Sequence, residues 1–334
     1  MIMVTGATGL VGGHLIWYLL QKHHTIVALK RTSSNTDNLL KTFGFYTNNP
    51  KEYINRIVWR TANLNNIVSI NIALEGITYL YHCAAEVTLS GSNDNLHQVN
   101  VMGTKNLLEA AKYNKVKKVC FVSSIAACGK GMNNELITEN APWDKQTPRT
   151  AYSLTKYLSE QEVWQSINDG LNAIIVNPGV ILGYSGSNSG SSKLFAQVKK
   201  GLPFYTNGGS GYVDVEDVVK IMILLVKSNV NNQRYIITAE NCSNRDILNW
   251  MADGFEKKRP FICIGKHLFQ SIGFLSEFAG KLFHFQPTFD TNMARTATKR
   301  AYYSNLKVKN ELNYTFNSIE KCIIGVCKHL TLNS

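Results

Sequence analysis

Two side chains able to exchange protons stand four residues apart in PRTAYSLTK (148–156), Tyr152 and Lys156. The spacing puts both on one face of a helix that starts near Thr150. A free phenol titrates near pH ~10, too high to give or take a proton readily at neutrality. An ammonium close by favours the phenolate and makes the tyrosine a usable acid or base. Tyrosine and lysine also fall at this spacing on ordinary exposed helices, so the pair gains weight from what accompanies it. Ser123 and Ser124 close an apolar run, the second of them 28 residues ahead of the tyrosine, which brings a hydroxyl to a strand end. The chain also opens MIMVTGATGLVGGHL, with Gly6, Gly9 and Gly12 at intervals of three.

Those glycines are explained by the elements around them. Ile2–Val4 is short and apolar, and Leu10–Leu20 carries apolar residues at helical spacing, so strand, turn and helix follow one another directly. Glycine suits backbone at positive φ, or backbone that a ligand must approach closely. A helix start offers free N–H groups and the positive end of a dipole, which suits a phosphate. A tight turn could need glycines for geometry alone. Strand, three spaced glycines and amphipathic helix together point to a dinucleotide site. Further strands are expected at Thr25–Lys30, Ile57–Arg60, Tyr79–Cys83, Lys118–Ser123 and Asn172–Asn177, with helices clearest at Asn100–Tyr113 and Ala151–Ile167. This alternation predicts an α/β fold, a doubly wound parallel sheet (Rossmann fold) with ligands at the carboxyl ends of its strands. After Asn177-Pro178-Gly179 the pattern changes to a Gly/Ser loop (184–193) and mixed elements. The expected division is a dinucleotide-binding domain from 1–177 plus about 212–240, and a smaller, mixed substrate-binding domain from 178–211 plus 241–334.

The 334 residues, 44% hydrophobic and 17% charged, suffice for a sizeable core and exclude a disordered chain. No apolar run reaches the roughly 20 residues of a membrane span, and the first strand begins too early for a signal peptide. A cytoplasmic protein is the expectation. The seven cysteines (Cys83, Cys120, Cys128, Cys242, Cys263, Cys322 and Cys327) contain no CxxC pair and sit mostly in apolar runs. Reduced core thiols and no metal site are expected. The net charge of +12 is uneven, because residues 257–334 hold twelve Lys/Arg against four Asp/Glu. A basic region can mark nucleic acid or an anionic membrane surface, but these cations are scattered, which reads instead as a solvated surface or a field drawing in an anionic cofactor.

With the glycine turn, the serine pair and the Tyr–Lys pair together, the chain resembles the extended short-chain dehydrogenase/reductases, the NAD-dependent epimerase/dehydratase family. Within it the resemblance is to the dihydroflavonol-4-reductase-like branch. YHCAAEV (81–87) is similar to the family's strand-end alanines lining the cofactor, and VNVMGTKNLLEA (99–110) to its helix-opening asparagine motif. NPGVILG (177–183) resembles the turn beside the nicotinamide, and GYVDVEDV (211–218) the return into the first domain. The resemblance implies an enzyme in which Tyr152 protonates a carbonyl oxygen as hydride arrives. Lys156 would hold the nicotinamide ribose and lower the tyrosine pKa. Ser124 would donate to the same oxygen, strand alternation turning only one of Ser123 and Ser124 toward the site. The implied cofactor contacts are Gly6, Thr8, Gly9, Leu10, Val11 and Gly12 in the turn, then Lys30 and Arg31. Asn63 and Leu64 follow the third strand, Ala84 and Ala85 the fourth. Tyr152, Lys156 and the run Asn177, Pro178, Gly179, Val180 complete the set.

An NAD-binding turn of this kind carries an acidic residue at the end of the second strand, on the ribose 2′-hydroxyl. Here TIVALKRTSSN places Lys30-Arg31 there, which fits a 2′-phosphate, so NADP(H) is favoured over NAD(H). Asn63 stands where the family has an acid contacting adenine. Dehydratases carry an Asp-Glu pair after the hydroxyl residue, whereas Ser124 is followed by Ile125-Ala126. Nucleotide-sugar epimerases carry an arginine shortly before the aromatic-Val-Asp run. Gly209-Ser210-Gly211 precede Tyr212-Val213-Asp214 here, with Arg245, Arg295 or Arg300 as substitutes. The expected function is NADP-dependent reduction of a small-molecule aldehyde or ketone to an alcohol. The alternatives are a nucleotide-sugar epimerase and an NADP-binding regulator without turnover. Substrate contacts are expected from Glu86 and Val87, from 180–211, and from the aromatic-rich 261–289, whose aromatics read more simply as core. Helices at 100–113 and 151–167 pair across a dimer in many relatives, which leaves a homodimer open.

Overall fold

Strand and helix alternate from the first residues onward in a computed structural model, which describes residues 1–87, 93–131, 135–144, 150–186, 190–282 and 291–332. The first half runs β1 (Ile2–Thr5), α1 (Leu10–Leu20), β2 (Ile26–Lys30), α2 (Asp37–Gly44), α3 (Pro50–Ile54), β3 (Ile57–Thr61), α4 (Ile67–Leu74) and β4 (Tyr79–His82). It continues through α5 (Asn93–His97), α6 (Gly103–Tyr113), β5 (Lys118–Val122), α7 (Ala151–Asn168) and β6 (Ala173–Pro178). The helix expected from Asn100 begins with a wider π-turn, Gln98–Met102, before α6 takes over. The second half holds β7 (Val180–Leu182), α8 (Ser191–Lys199), β8 (Phe204–Thr206), β9 (Gly209–Asp214), α9 (Val215–Lys227), β10 (Gln233–Ile237) and β11 (Glu240–Ser243). It ends with α10 (Asn244–Gly254), β12 (Ile262–Ile264), α11 (Lys266–Leu282), α12 (Thr291–Thr298), α13 (Leu306–Leu312) and α14 (Ile319–Leu332).

Seven strands form one parallel sheet in the order β10-β6-β5-β4-β1-β2-β3. Val4 of β1 pairs with Ala28 on one side and Tyr81 on the other. The chain therefore leaves the centre through β2 and β3, then crosses back to β4. The order reverses between β1 and β4, and in sheets of this kind ligands bind at the carboxyl edge of that switch point. Successive residues face opposite layers. Val4, Ala28, Tyr81, Cys120 and Ile174 pack with α1 and α9, while Met3, Val27, Leu80, Phe121 and Ile175 pack with α4, α6 and α7. Burial on both faces is why these strands read as unbroken apolar runs.

A second, mixed layer contains the sheet β11-β9-β7, with β7 parallel and β11 antiparallel to β9. Leu182, Phe195, Met251, Ile319 and Ile323 are buried beneath it. Tyr212–Asp214 complete β9, and α9 starts at Val215. From there α9 packs on the core of the large sheet and β10 joins its edge. The expectation that the 261–289 aromatics are core is corrected where residues are described. Phe261 and Phe274 are exposed; among the described residues β12 pairs with β8 alone, and α11 packs on α12. Residues 283–290, like 187–189 of the Gly/Ser loop, lie outside the described residues. All seven cysteines are free thiols, Cys263 the exposed one. Among the described residues no helix is long and apolar enough to cross a membrane.

Candidate functional site

Two of the three opening glycines are required by the chain's own packing, and the third is not. Gly6 has φ +66°, and a Cβ there would lie 2.7 Å from the Ala84 nitrogen, so the turn after β1 meets the loop after β4 backbone to backbone. A Cβ on Gly12 would lie 2.1 Å from the Gly6 carbonyl oxygen. Gly9 is exposed, and its Cβ would meet only the Gly6 oxygen, at 3.3 Å. It precedes α1 with no side chain capping that helix end. The opening N–H groups of α1, beginning at the half-buried Leu10 and Val11, therefore stand beside an open glycine surface. That surface, with Thr8 at its side, fits the phosphates of a dinucleotide.

Beyond β5 the two serines diverge. Ser123 donates to the Glu160 carboxylate at 2.6 Å and is buried, whereas the Ser124 hydroxyl is near enough to the Tyr152 phenol to oppose the rise in its pKa. Ser124 Oγ also accepts from the Ala126 nitrogen at 3.1 Å, capping a single turn over Ile125–Ala127. Tyr152 and Lys156 lie on consecutive turns of α7, whose N-cap Thr150 accepts from the Ser153 nitrogen at 3.1 Å. Ser153 in turn donates to the Ala126 carbonyl, which pins the start of α7 to the strand end bearing Ser124. Lys156 is only 3% exposed, and Nζ donates to the Val122 carbonyl at 2.9 Å, 5.1 Å from the centre of the Phe121 ring. Burial brings this ammonium down to about 8, with the Glu160 carboxylate opposing the shift. The phenol goes the other way, as burial pushes Tyr152 up and the Ser124 hydroxyl opposes. Sequence reasoning expected Lys156 to lower the phenol. Instead its ammonium is turned to the Val122 carbonyl, and Tyr152 keeps its proton, the form a general acid needs. One bond to Val122 leaves the ammonium donors for a ribose diol.

The remaining nominated residues sit at the other strand ends. Lys30 closes β2 with Nζ 5.5 Å over the Trp59 ring. Arg31 is exposed, its nitrogen held by Ser34 Oγ at 3.0 Å and its guanidinium free of partners among the described residues. Asn63 accepts from the Asn65 nitrogen at 3.0 Å, so its acceptor is used locally while its amide N–H remains for a ligand. Leu64 accepts from Asn106 at 2.8 Å and packs against Gly103. Ala84 donates to Thr5 Oγ1 at 3.2 Å, with Ala85 half-buried beside it. Asn177 is fully buried; its amide donates to the Ser124 carbonyl at 3.0 Å and to Glu160, while Oδ1 has no partner. Pro178 ends β6, a Cβ on Gly179 would lie 2.4 Å from the Gly211 oxygen, and Val180 is partly exposed at the start of β7. Every nominated residue thus lies on one rim, at the carboxyl ends of β1 to β6 or on the first turns of α1 and α7. An orphaned buried oxygen, an uncapped helix start and an open glycine surface on that rim fit a nicotinamide dinucleotide.

The model of the NAD dependent epimerase/dehydratase family matches residues 2–238. This chain belongs to that family. Sterol demethylase protein B of Methylococcus capsulatus is 32% identical over 286 residues, 82% of this chain and 80% of that protein. A Synechocystis protein provisionally named a dihydroflavonol 4-reductase is 26% identical, over 96% of this chain and 91% of its own length. Among solved structures, the UDP-glucose 4-epimerase of Thermus thermophilus in complex with NAD is similar with TM-score 0.74 at 19% identity, covering 99% of this chain and 98% of that one. That is a likeness of fold. The chain is an NAD(P)-dependent enzyme of the extended short-chain dehydrogenase/reductase type.

Glu160 and His82 help position this family site without having been singled out in the sequence, and Asn100, the asparagine of the helix-opening motif, joins them. Glu160, one turn beyond Lys156 and wholly buried, accepts from Ser123 and Asn177 and pairs with Arg234 at 3.2 Å. Burial raises its carboxyl, and those three partners oppose the rise. Asn100, inside the π-turn, accepts from the Glu86 nitrogen at 2.8 Å and donates to Thr155 Oγ1 at 3.2 Å, joining the loop after β4 to α7. His82 lies between Thr5 and Thr104 at 2.8 and 3.0 Å, and burial with the Lys156 charge lowers it to about 3, so it stays neutral. A polar residue within an apolar run, as in YLYH, was the available signal for His82. A cavity of about 570 Å³ is bordered by His14, Gly183, Tyr184, Asp214, Glu216 and Lys321. Its carboxylates are engaged, Glu216 by Tyr18 and Lys220, Asp214 by the Glu216 nitrogen and Asn317.

Proposed function

We propose that this enzyme uses NADPH to reduce an uncharged, largely apolar aldehyde or ketone to the alcohol. The observation that carries the reading is the convergence of Ser124, just beyond β5, with Tyr152 and Lys156 on α7, whose start is pinned to that strand end through Ser153. The nicotinamide supplies a hydride when bound. Tyr152 gives its phenolic proton to the carbonyl oxygen, Ser124 donates a hydrogen bond to the same oxygen, and Lys156 holds the ribose hydroxyls. The free guanidinium of Arg31, next to Lys30, suits a 2′-phosphate.

An epimerase must both take hydride from a sugar hydroxyl and return it, with the nucleotide sugar held throughout the cycle. A substrate diphosphate would also need a cationic clamp. Arg300 donates to the Asn207 carbonyl at 2.7 Å, and Arg245 lies 5.0 Å over the Tyr205 ring, so both are engaged with the protein. The relatives named for sterol and dihydroflavonol chemistry support apolar ring ketones as the first substrates to try. The test is a panel of such ketones, aldehydes and UDP-sugars. Steady loss of NADPH absorbance with a carbonyl compound and no thermal shift with UDP-sugars is expected. Interconversion of a UDP-sugar with no net NADPH oxidation would make the epimerase reading correct, and saturable NADPH binding without any turnover would favour a regulator.

A further inference from the structure

Four large apolar side chains are exposed along one short stretch, Phe261 at 62%, Leu268 at 61%, Phe274 at 61% and Leu275 at 63%. Two more flank them, because Ile262 of β12 pairs with Phe204 of β8 and both are about two-fifths exposed, at 41% and 42%. The start of α11 is amphipathic. Gly273 is buried and Phe269 and Gln270 half-buried, whereas Leu268, Ser271 and Leu275, spaced three and four apart, form an outer stripe with Phe274 beside it. Only 263–267 separate this stripe from Phe261 and Ile262. Apolar surface of this extent on a folded chain marks an interaction site.

The charge around it says what kind. From Lys257 to Ser276 the sequence has no Asp or Glu, and Lys257, Lys258, Arg259 and Lys266 are all exposed. Lys258 Nζ lies 4.7 Å from the Phe261 ring centre, so cation and aromatic stand at one level. Arg259 is held by Asp253 at 2.7 Å, which leaves the lysines as the free charges. Lys200, also exposed, stands four residues before Phe204. Aromatic and aliphatic side chains bordered by ammonium groups match the boundary of an anionic bilayer, where acyl chains take the former and headgroups the latter. A second copy would bring the same lysines to the same face, in a chain of net charge +12. We infer that the exposed apolar side chains of α11, with those at β12 and the lysines between and before them, dock on an anionic lipid surface, lying in its plane without crossing it. The inference is independent of which carbonyl compound the enzyme reduces.

The test is co-sedimentation of the full chain with phosphatidylcholine vesicles, with and without phosphatidylglycerol. Pelleting with the anionic vesicles at low ionic strength, reduced by added salt, is expected. Phe274→Glu with Leu275→Glu should bring pelleting to background. Lys266→Gln should weaken partitioning about fivefold, the effect of one ammonium near an anionic surface. All these side chains are exposed, so the variants should keep the parent's melting temperature. No pelleting with either vesicle overturns the inference, as does equal pelleting with neutral vesicles. A parent that elutes as a dimer, ignores vesicles and becomes monomeric on Phe274→Glu with Leu275→Glu would assign the face to self-association instead.

Discussion

Changing Tyr152 to Phe removes one hydroxyl and keeps the ring that packs in the site. NADPH binding should therefore persist while turnover falls about 10²–10⁴-fold, the usual contribution of a positioned general acid. Fluorescence titration and steady-state rates read the two effects separately, and turnover within a few-fold of the parent would assign protonation elsewhere. Lys156 makes a pH prediction. Its ammonium is lost as pH rises through about 8, so turnover should decline on that alkaline limb. Glu160→Gln removes the carboxylate that favours the charged form and should move the limb to lower pH; an unmoved limb would show that Lys156 does not set it. Because the folded value lies below the unfolded one, this lysine costs stability at neutral pH. That cost is relieved as pH rises from about 8 to the ordinary value of 10.5. Arg31→Ala should erase most of a preference for NADPH over NADH, roughly ten- to a hundredfold for one charge-assisted bond. Equal dissociation constants for the two cofactors in the parent would remove the 2′-phosphate from the account.

At the scale of elements, the site depends on two buried joints. One is the approach of α1 to the turn before it, where Gly12→Ala would place a methyl 2.1 Å from a carbonyl oxygen. Relief requires a backbone shift costing about 1–3 kcal/mol, visible as a lower melting temperature together with weaker nucleotide binding. A fully stable variant with parental affinity would contradict the close packing. The other joint is Glu160–Arg234, which ties α7 to β10 beneath the serines. Arg234→Met should destabilise by about 3–5 kcal/mol, because it leaves a buried carboxylate without its cation. Denaturant unfolding measures this, and a loss below about 1 kcal/mol, the range of an exposed pair, would mean the pair is effectively solvated. Strands β1 to β6 of the large sheet were legible in sequence to within a residue or two, since burial on both faces makes them apolar runs, whereas β10, at the sheet edge, was not singled out. The π-turn at Gln98–Met102 was not, because helical periodicity does not distinguish a one-residue widening.

Over the whole molecule, legibility follows how local the determining interactions are. The glycine turn, the serine pair and the Tyr–Lys spacing are short patterns, and the structure places them on one rim. Glu160 read as an ordinary polar helix residue, since its partners Ser123, Asn177 and Arg234 lie 37, 17 and 74 residues away. The second layer was described only as mixed, because three-residue strands such as β7, β8 and β12 are defined by their pairing and not by pattern. The exposure of Phe261 and Phe274 likewise depends on what fails to cover them, which composition does not show. The most direct test of the whole account follows the hydride. NADPH carrying deuterium at the transferable position would be incubated with the best carbonyl acceptor from the panel, and the alcohol analysed by mass spectrometry. One deuterium on the carbinol carbon of released product, in step with NADPH consumed and absent with Tyr152→Phe, is the predicted result. Unlabelled acceptor and undiminished NADPH, alongside interconversion of a UDP-sugar, would contradict it.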